Sequence, residues 1–272
     1  MTGRPVDEFA GIDTSIPNVA RVYDYLLGGA HNFAADRQLA EMIEKSMPHV
    51  RDVVRLNRSF LRRAVRYMVD AGIRQFLDIG SGIPTVGNVH EIAQAEDPAC
   101  RVIYVDKESV ATTHSQLLLL DNDRAAAIQA DIRDPDDILG RPETRRLLDL
   151  NEPVGLLTLL VWHFIPDSDD PPGLLARYRD ALAPGSYLAL THVTDDGDPE
   201  GLDQAVDDVG RRSREEAFPR SHDEVVSLFP GLEVVEPGVV GCAGWRPEGS
   251  GDFSDDAGIN VLLYAGVGHK PG

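Results

Sequence analysis

The sequence predicts an α/β protein, a doubly wound and mainly parallel sheet of seven strands behind an N-terminal helical arm. Two observations carry that prediction. From Gln75 onward, short apolar runs alternate with helical stretches. Strands separated by helices join through right-handed crossovers into a parallel sheet covered on both faces. Before Gln75 the texture is helical only, with apolar residues recurring every three or four positions.

In the arm, residues 1–72, Asp13, Thr14 or Ser15 caps a first helix with Pro17 in its first turn, and Gly28-Gly29 ends it. A second helix is expected over 34–47, stopping at Pro48, and a third over 50–70, stopping at Gly72. On the third, Val53, Val54, Phe60, Leu61 and Val65 keep to one side, while Arg51, Arg55, Arg58, Arg62 and Arg66 take another. That arginine stripe reads as a solvated face paired with acids.

The sheet domain, residues 73–272, carries strands expected at 75–80, 101–106, 126–131, 155–164, 186–192, 232–236 and 259–267. Helices are expected at 86–96, 108–120, 172–182, 199–217 and 222–229. The polar, Gly-rich stretch 244–258 reads as a loop.

Composition narrows the function. The chain has 272 residues, enough for one large domain with an appended arm. Its 26 basic and 45 acidic residues give a net charge of −19, which argues against nucleic acid as partner, since that binding neutralises phosphates. No apolar run approaches the ~20 residues that span a bilayer, and the first residues lack the apolar core of a signal peptide. The two cysteines, Cys100 and Cys242, form no CxxC pair, so neither a disulfide framework nor a metal site is expected. A cytoplasmic protein fits these features.

The ligand site is expected beyond the carboxyl ends of the strands, where strand order reverses. The first strand ends Leu77-Asp78-Ile79-Gly80-Ser81-Gly82, and its glycines let the backbone pass close to a ligand. Position 85 is Thr, so the full dinucleotide GxGxxG fingerprint is absent. Asp106 ends the second strand, where an acid accepts both hydroxyls of a ribose. Asp131 ends the third, near where an adenine amino group would lie. His163 and His192 close the fourth and fifth strands and are candidate general bases, because imidazole titrates near neutral pH.

These strings resemble the class I S-adenosylmethionine (AdoMet)-dependent methyltransferases from Gln75 onward, including Asp131-Ile132 and Leu182-Ala183-Pro184-Gly185-Ser186. The whole chain resembles a narrower actinobacterial group of such proteins, first grouped as a domain of unknown function. That match rests on Ala20-Arg21-Val22-Tyr23-Asp24-Tyr25-Leu26-Leu27-Gly28-Gly29, on Asn32-Phe33-Ala34-Ala35-Asp36, and on the run from Gly82 to Glu91.

The resemblance implies a Rossmann-like sheet of order 3-2-1-4-5-7-6 with the last strand antiparallel. It implies AdoMet as cofactor and S-adenosylhomocysteine as product. Gly80, Ser81 and Gly82 would line the methionine and ribose portion, with Asp78 at the amino group. Asp106 would take the ribose hydroxyls, and Asp131 with the Ile132 backbone would read adenine. Thr85 and Lys107 join the same cofactor set, with Tyr23 and Asn32 from the arm, whose glycine pair reads as the hinge of a lid over AdoMet or as a plain helix stop in a packed scaffold.

The first functional reading is transfer of a methyl group to O or N of a small-molecule acceptor, and a homodimer is left open. Such transfer needs no strong base, because placing nucleophile, methyl carbon and sulfur in line supplies most of the rate. Two alternatives stand beside this reading: a catalytically silent AdoMet- or S-adenosylhomocysteine-binding regulator, and an NAD-dependent oxidoreductase, which the missing third glycine weakens. The acidic segment 195–216 selects a cationic acceptor or is simply a solvated helix, and the latter is the expectation.

Overall fold

Three helices build the arm: α1 (Val19–Leu26), α2 (Ala34–Ser46) and α3 (Val50–Asp70). The computed structural model describes residues 13–85, 87–197 and 199–272. The first residues, read for a leader, and Val86, the expected start of the fourth helix, lie outside the described residues. Helix α1 begins later than the sequence suggested, because Asn18 is its cap and accepts from the N–H groups of Ala20 and Arg21. Asp13 instead binds the Ser15 hydroxyl and backbone.

A buried ion pair ties α1 to α2. Arg21 Nε meets Asp36 Oδ2 at 2.8 Å, and Asp36 also accepts from the backbone N–H of Asn18 and of Phe33.

The sheet comprises β1 (Gln75–Ile79), β2 (Arg101–Asp106), β3 (Ala125–Gln129), β4 (Gly155–Leu159), β5 (Tyr187–Val193), β6 (Glu233–Val234), β7 (Val240–Gly241) and β8 (Leu263–His269). Its order is β3-β2-β1-β4-β5-β8-β6, with β7 pairing β8. Strand β8 runs antiparallel to both β5 and β6, so the Rossmann-like methyltransferase order is present with β8 in the place of the seventh strand. The strand missing from the sequence reading is β7, whose two residues are too few for alternation to register.

Alternate side chains of the buried strands face two cores. Phe76, Val102 and Leu157 pack with Phe60, Val65 and Met68 of α3. On the opposite face, Leu77, Ile103 and Leu156 join a second cluster. That face is covered by α6 (Pro135–Gly140), α7 (Pro142–Leu147), α8 (Pro171–Ala181) and α10 (His222–Ser227). Helices α4 (Val89–Glu96), α5 (Ser109–Leu118) and α9 (Leu202–Arg212) complete the fold, and α9 packs on α2.

Strand β4 stops at Leu159 rather than 164. Leu160 adopts φ 51°, a left-handed conformation costly for a branched side chain. Its N–H is held by the Thr191 hydroxyl at 2.9 Å, and Trp162–Phe164 form a 3₁₀ turn. Among the described residues no helix is long and apolar enough to cross a membrane.

Candidate active site

The carboxyl ends of the parallel strands, the arm, α9 and the segment 214–219 enclose a cavity of about 620 Å³. Its floor is the loop after β1. There Gly80 has φ +72°, and a Cβ would lie 2.6 Å from Val161 Cγ2, so glycine is required by both backbone and space. Gly82 is also left-handed at φ +66°, with open space where its Cβ would point.

Asp106 shapes this loop from the end of β2. One carboxylate oxygen accepts from Gly82 N–H at 2.8 Å and the other from Glu108 N–H at 2.9 Å. Burial raises its pKa, while those two donors pull it back. Asp78 is different. It lines the same cavity, is 8% exposed, and receives no hydrogen bond among the described residues. Its carboxyl is pushed up to about 7, first by burial and further by neighbouring Asp106, against the opposing pull of Arg58.

Most of the residues singled out from sequence converge on this cavity. Tyr23, Ser81, Lys107, Asp131, Ile132 and His163 all line it, together with Asp78, Gly80, Gly82 and Asp106. Asn32 and Thr85 do not. Asn32 instead caps the arm's turn, its amide donating to Asp24 Oδ2 at 2.9 Å and to Gly29 O at 3.0 Å. Thr85 donates its N–H to Asn88 Oδ1, at the N-cap of α4. Asp131 binds Arg133, whose Nε lies 2.9 Å away and holds the carboxyl below its usual range. Lys107 Nζ meets Glu215 Oε1 at 2.6 Å, bridging β2 to the segment over the cavity mouth.

The two histidines separate cleanly. His192 is fully buried and lies outside the cavity lining. Its Nε2 faces Arg220 Nη1 at 2.8 Å and must accept, since arginine only donates, so Nδ1 carries the proton to Val193 O. Burial pushes its pKa down to about 4. His192 is therefore a structural acceptor, correcting its reading as a candidate base. His163 lines the cavity, and its buried Nδ1 has no hydrogen-bond partner among the described residues. Burial, then His192 and Arg220, hold it well below its ordinary pKa, so it is neutral.

Sequence reading missed Asn57 and Arg58 of α3 as wall residues, and the apolar face of α9. Asn57 Nδ2 donates to the Tyr23 hydroxyl at 2.9 Å, and its Oδ1 accepts from Thr191 at 2.7 Å. Arg58 belongs to the arginine stripe and donates to Gly87 O, and Arg55, Arg62 and Arg66 pair with Asp52, Asp252 and Glu96. The signal for α9 was present, because Leu202, Ala205, Val206 and Val209 recur at helical spacing.

A floor with a glycine opening, a carboxylate at the end of β2 and a second carboxyl without a hydrogen bond among the described residues suits a ligand carrying a vicinal diol and an ammonium. Comparison with known families matches residues 6–271 to the S-adenosyl methyltransferase model. The chain belongs to the S-adenosyl methyltransferase family. Its cofactor is thus AdoMet and its reaction class methyl transfer.

Among solved structures, a DUF574 family protein from Streptomyces avermitilis is 38% identical with a TM-score of 0.91, over 96% of this chain and 100% of that one. A candidate methyltransferase from Thermobifida fusca is 40% identical with a TM-score of 0.90, over 96% and 98%. An O-methyltransferase family protein from Burkholderia thailandensis, 12% identical with a TM-score of 0.52 over 88% and 60%, shares the fold alone. Comparison with curated proteins returns no match.

Proposed function

We propose that this S-adenosyl methyltransferase transfers a methyl group to O or N of a small-molecule acceptor, in a site floored by residues 78–82 and roofed by arm helices α1–α3, the arm acting as a lid on the domain 73–272. The observation that carries the reading is the shared wall: Asp78, Gly80, Gly82, Asp106 and Ile132 line one cavity with His163 and the arm residue Tyr23.

When bound, AdoMet supplies a methyl group already activated by its sulfonium. The protein's part is binding and orientation. Asp106 takes the ribose hydroxyls while keeping its hold on Gly82, and Asp78 takes the ammonium. Asp131 and Ile132 flank the adenine, and Lys107 steadies the segment that closes over it. His163, neutral and lining the cavity, is the side chain placed to receive the acceptor's proton. The apolar roof excludes water from the transfer. The acceptor is not a nucleic acid, and the setting is cytoplasmic.

Calorimetric titration with AdoMet, S-adenosylhomocysteine and NADH tests this. Micromolar binding of the sulfur ligands with NADH silent supports it, and silence from both in folded protein overturns it. Turnover of AdoMet with any acceptor in a cell extract separates an enzyme from a silent regulator.

A further inference from the structure

On its arm and α9 side, the cavity that holds the proposed AdoMet site forms a chamber of mainly aliphatic walls. The segment after α9 adds Arg214 and Glu216, both exposed, and Glu215, which pairs with Lys107. From the arm, Leu26, Ile43, Val53 and Val54 face the chamber. From α9 come Leu202, Ala205, Val206 and Val209, one helical stripe. Most charges of α9 point away: Asp203, Asp207, Arg211 and Arg212 are exposed, Arg211 pairs with Asp207, and the buried Asp208 does not line the cavity. The acidic segment thus turns its aliphatic side to the site. Among the described arm and α9 residues lining the cavity, Arg58 alone is charged, and its guanidinium donates to Gly87 O beside the glycine loop.

Polar atoms in this chamber are few and mostly engaged. The Tyr23 hydroxyl and the Asn57 amide bind each other, and Asn57 Oδ1 is held by Thr191. His163 is the exception: its ring lines the cavity, and its buried Nδ1 has no partner among the described residues. Burying a charge against aliphatic walls is costly, whereas a buried orphan nitrogen asks for one hydrogen bond. We infer that the methyl acceptor is an uncharged molecule with an apolar body and a single hydroxyl, the body in the chamber of α1–α3 and α9 and the hydroxyl on His163. Its role as acceptor rests on the methyltransferase reading, but its fit to the chamber does not.

The test is calorimetry on the full chain, saturated with S-adenosylhomocysteine, near neutral pH, with four probes of one size: 4-butylphenol, butylbenzene, 4-butylbenzoate and 4-butylbenzylamine. The phenol should bind, with both charged probes weaker by at least about tenfold. Butylbenzene should also fall short by about tenfold, and His163→Phe should close that gap. Val206→Asp should weaken the phenol about tenfold while leaving S-adenosylhomocysteine binding unchanged. Val206→Phe, which narrows the chamber without charging it, should do the same where the Asp variant fails to fold.

A silent phenol, a charged probe binding as tightly, or a phenol indifferent to Val206→Phe overturns the inference. If S-adenosylhomocysteine itself gives no heat, the cofactor reading falls. The probe series on the chain alone then decides the chamber by the same ranking.

Discussion

Asp106 and Asp78 occupy one wall but are held in opposite ways, and that difference sets two expectations. Asp106 accepts two backbone N–H bonds and still faces the cavity. Asp106→Ala should cost on the order of 1.5–3 kcal/mol of AdoMet affinity, the worth of hydrogen bonds to a charged acceptor. Unchanged affinity in a folded variant removes Asp106 from the ribose site.

Asp78, pushed up to about 7 chiefly by burial, holds a proton that an incoming ammonium must displace. AdoMet affinity should therefore fall as pH drops below about 7, with proton release read from the dependence of binding heat on buffer ionisation enthalpy. In the chain without ligand the sign reverses. The folded pKa lies above the unfolded value near ~3.9, so this stabilising contribution is full below that value and is lost as pH rises through about 7. Asp78→Asn should flatten both profiles.

At the scale of elements, the arm depends on a knot rather than on helix propensity. Asp36 is fully buried, paired with buried Arg21, and accepts from two backbone donors. Asp36→Ala leaves the Arg21 charge unpaired and should cost about 3–5 kcal/mol in urea unfolding. Arg211→Ala, at an exposed i,i+4 pair, should cost under ~1 kcal/mol.

How legible each element was in the sequence follows its local chemistry. Strand β2 was bounded correctly at 101–106 because its apolar run is closed by Arg101 and Asp106. Helices α6 and α7 went unread, since six residues with a proline at each start leave little room for periodicity. The overlong β4 is a different failure. Apolar residues continue past Leu159, and only the tertiary bond from Leu160 to Thr191 turns them. The strand-end acids of the site were legible for the same reason as β2. Asn57 was not, because one amide on a buried helix face carries no pattern.

Across the whole molecule, acidic surplus and strand order each have a consequence. At a net charge of −19, the chain should leave the mobility of duplex DNA unchanged at physiological salt, and a retarded band in a gel would show a basic face that the composition hides. Strand order acts in time. Strand β8 follows every other strand in the chain, yet it sits inside the sheet, hydrogen-bonded to β5 on one side and β6 on the other. During synthesis the segments that floor the cofactor site emerge early, while Tyr187–Val193 of β5 remains an unpaired apolar edge until residues 263–269 follow. Newborn chains are thus sticky for as long as translation of the last segment is outstanding. A chain stopped before Leu263 should partition into the insoluble fraction, and the codons between β5 and β8 are where a ribosomal pause would do most harm.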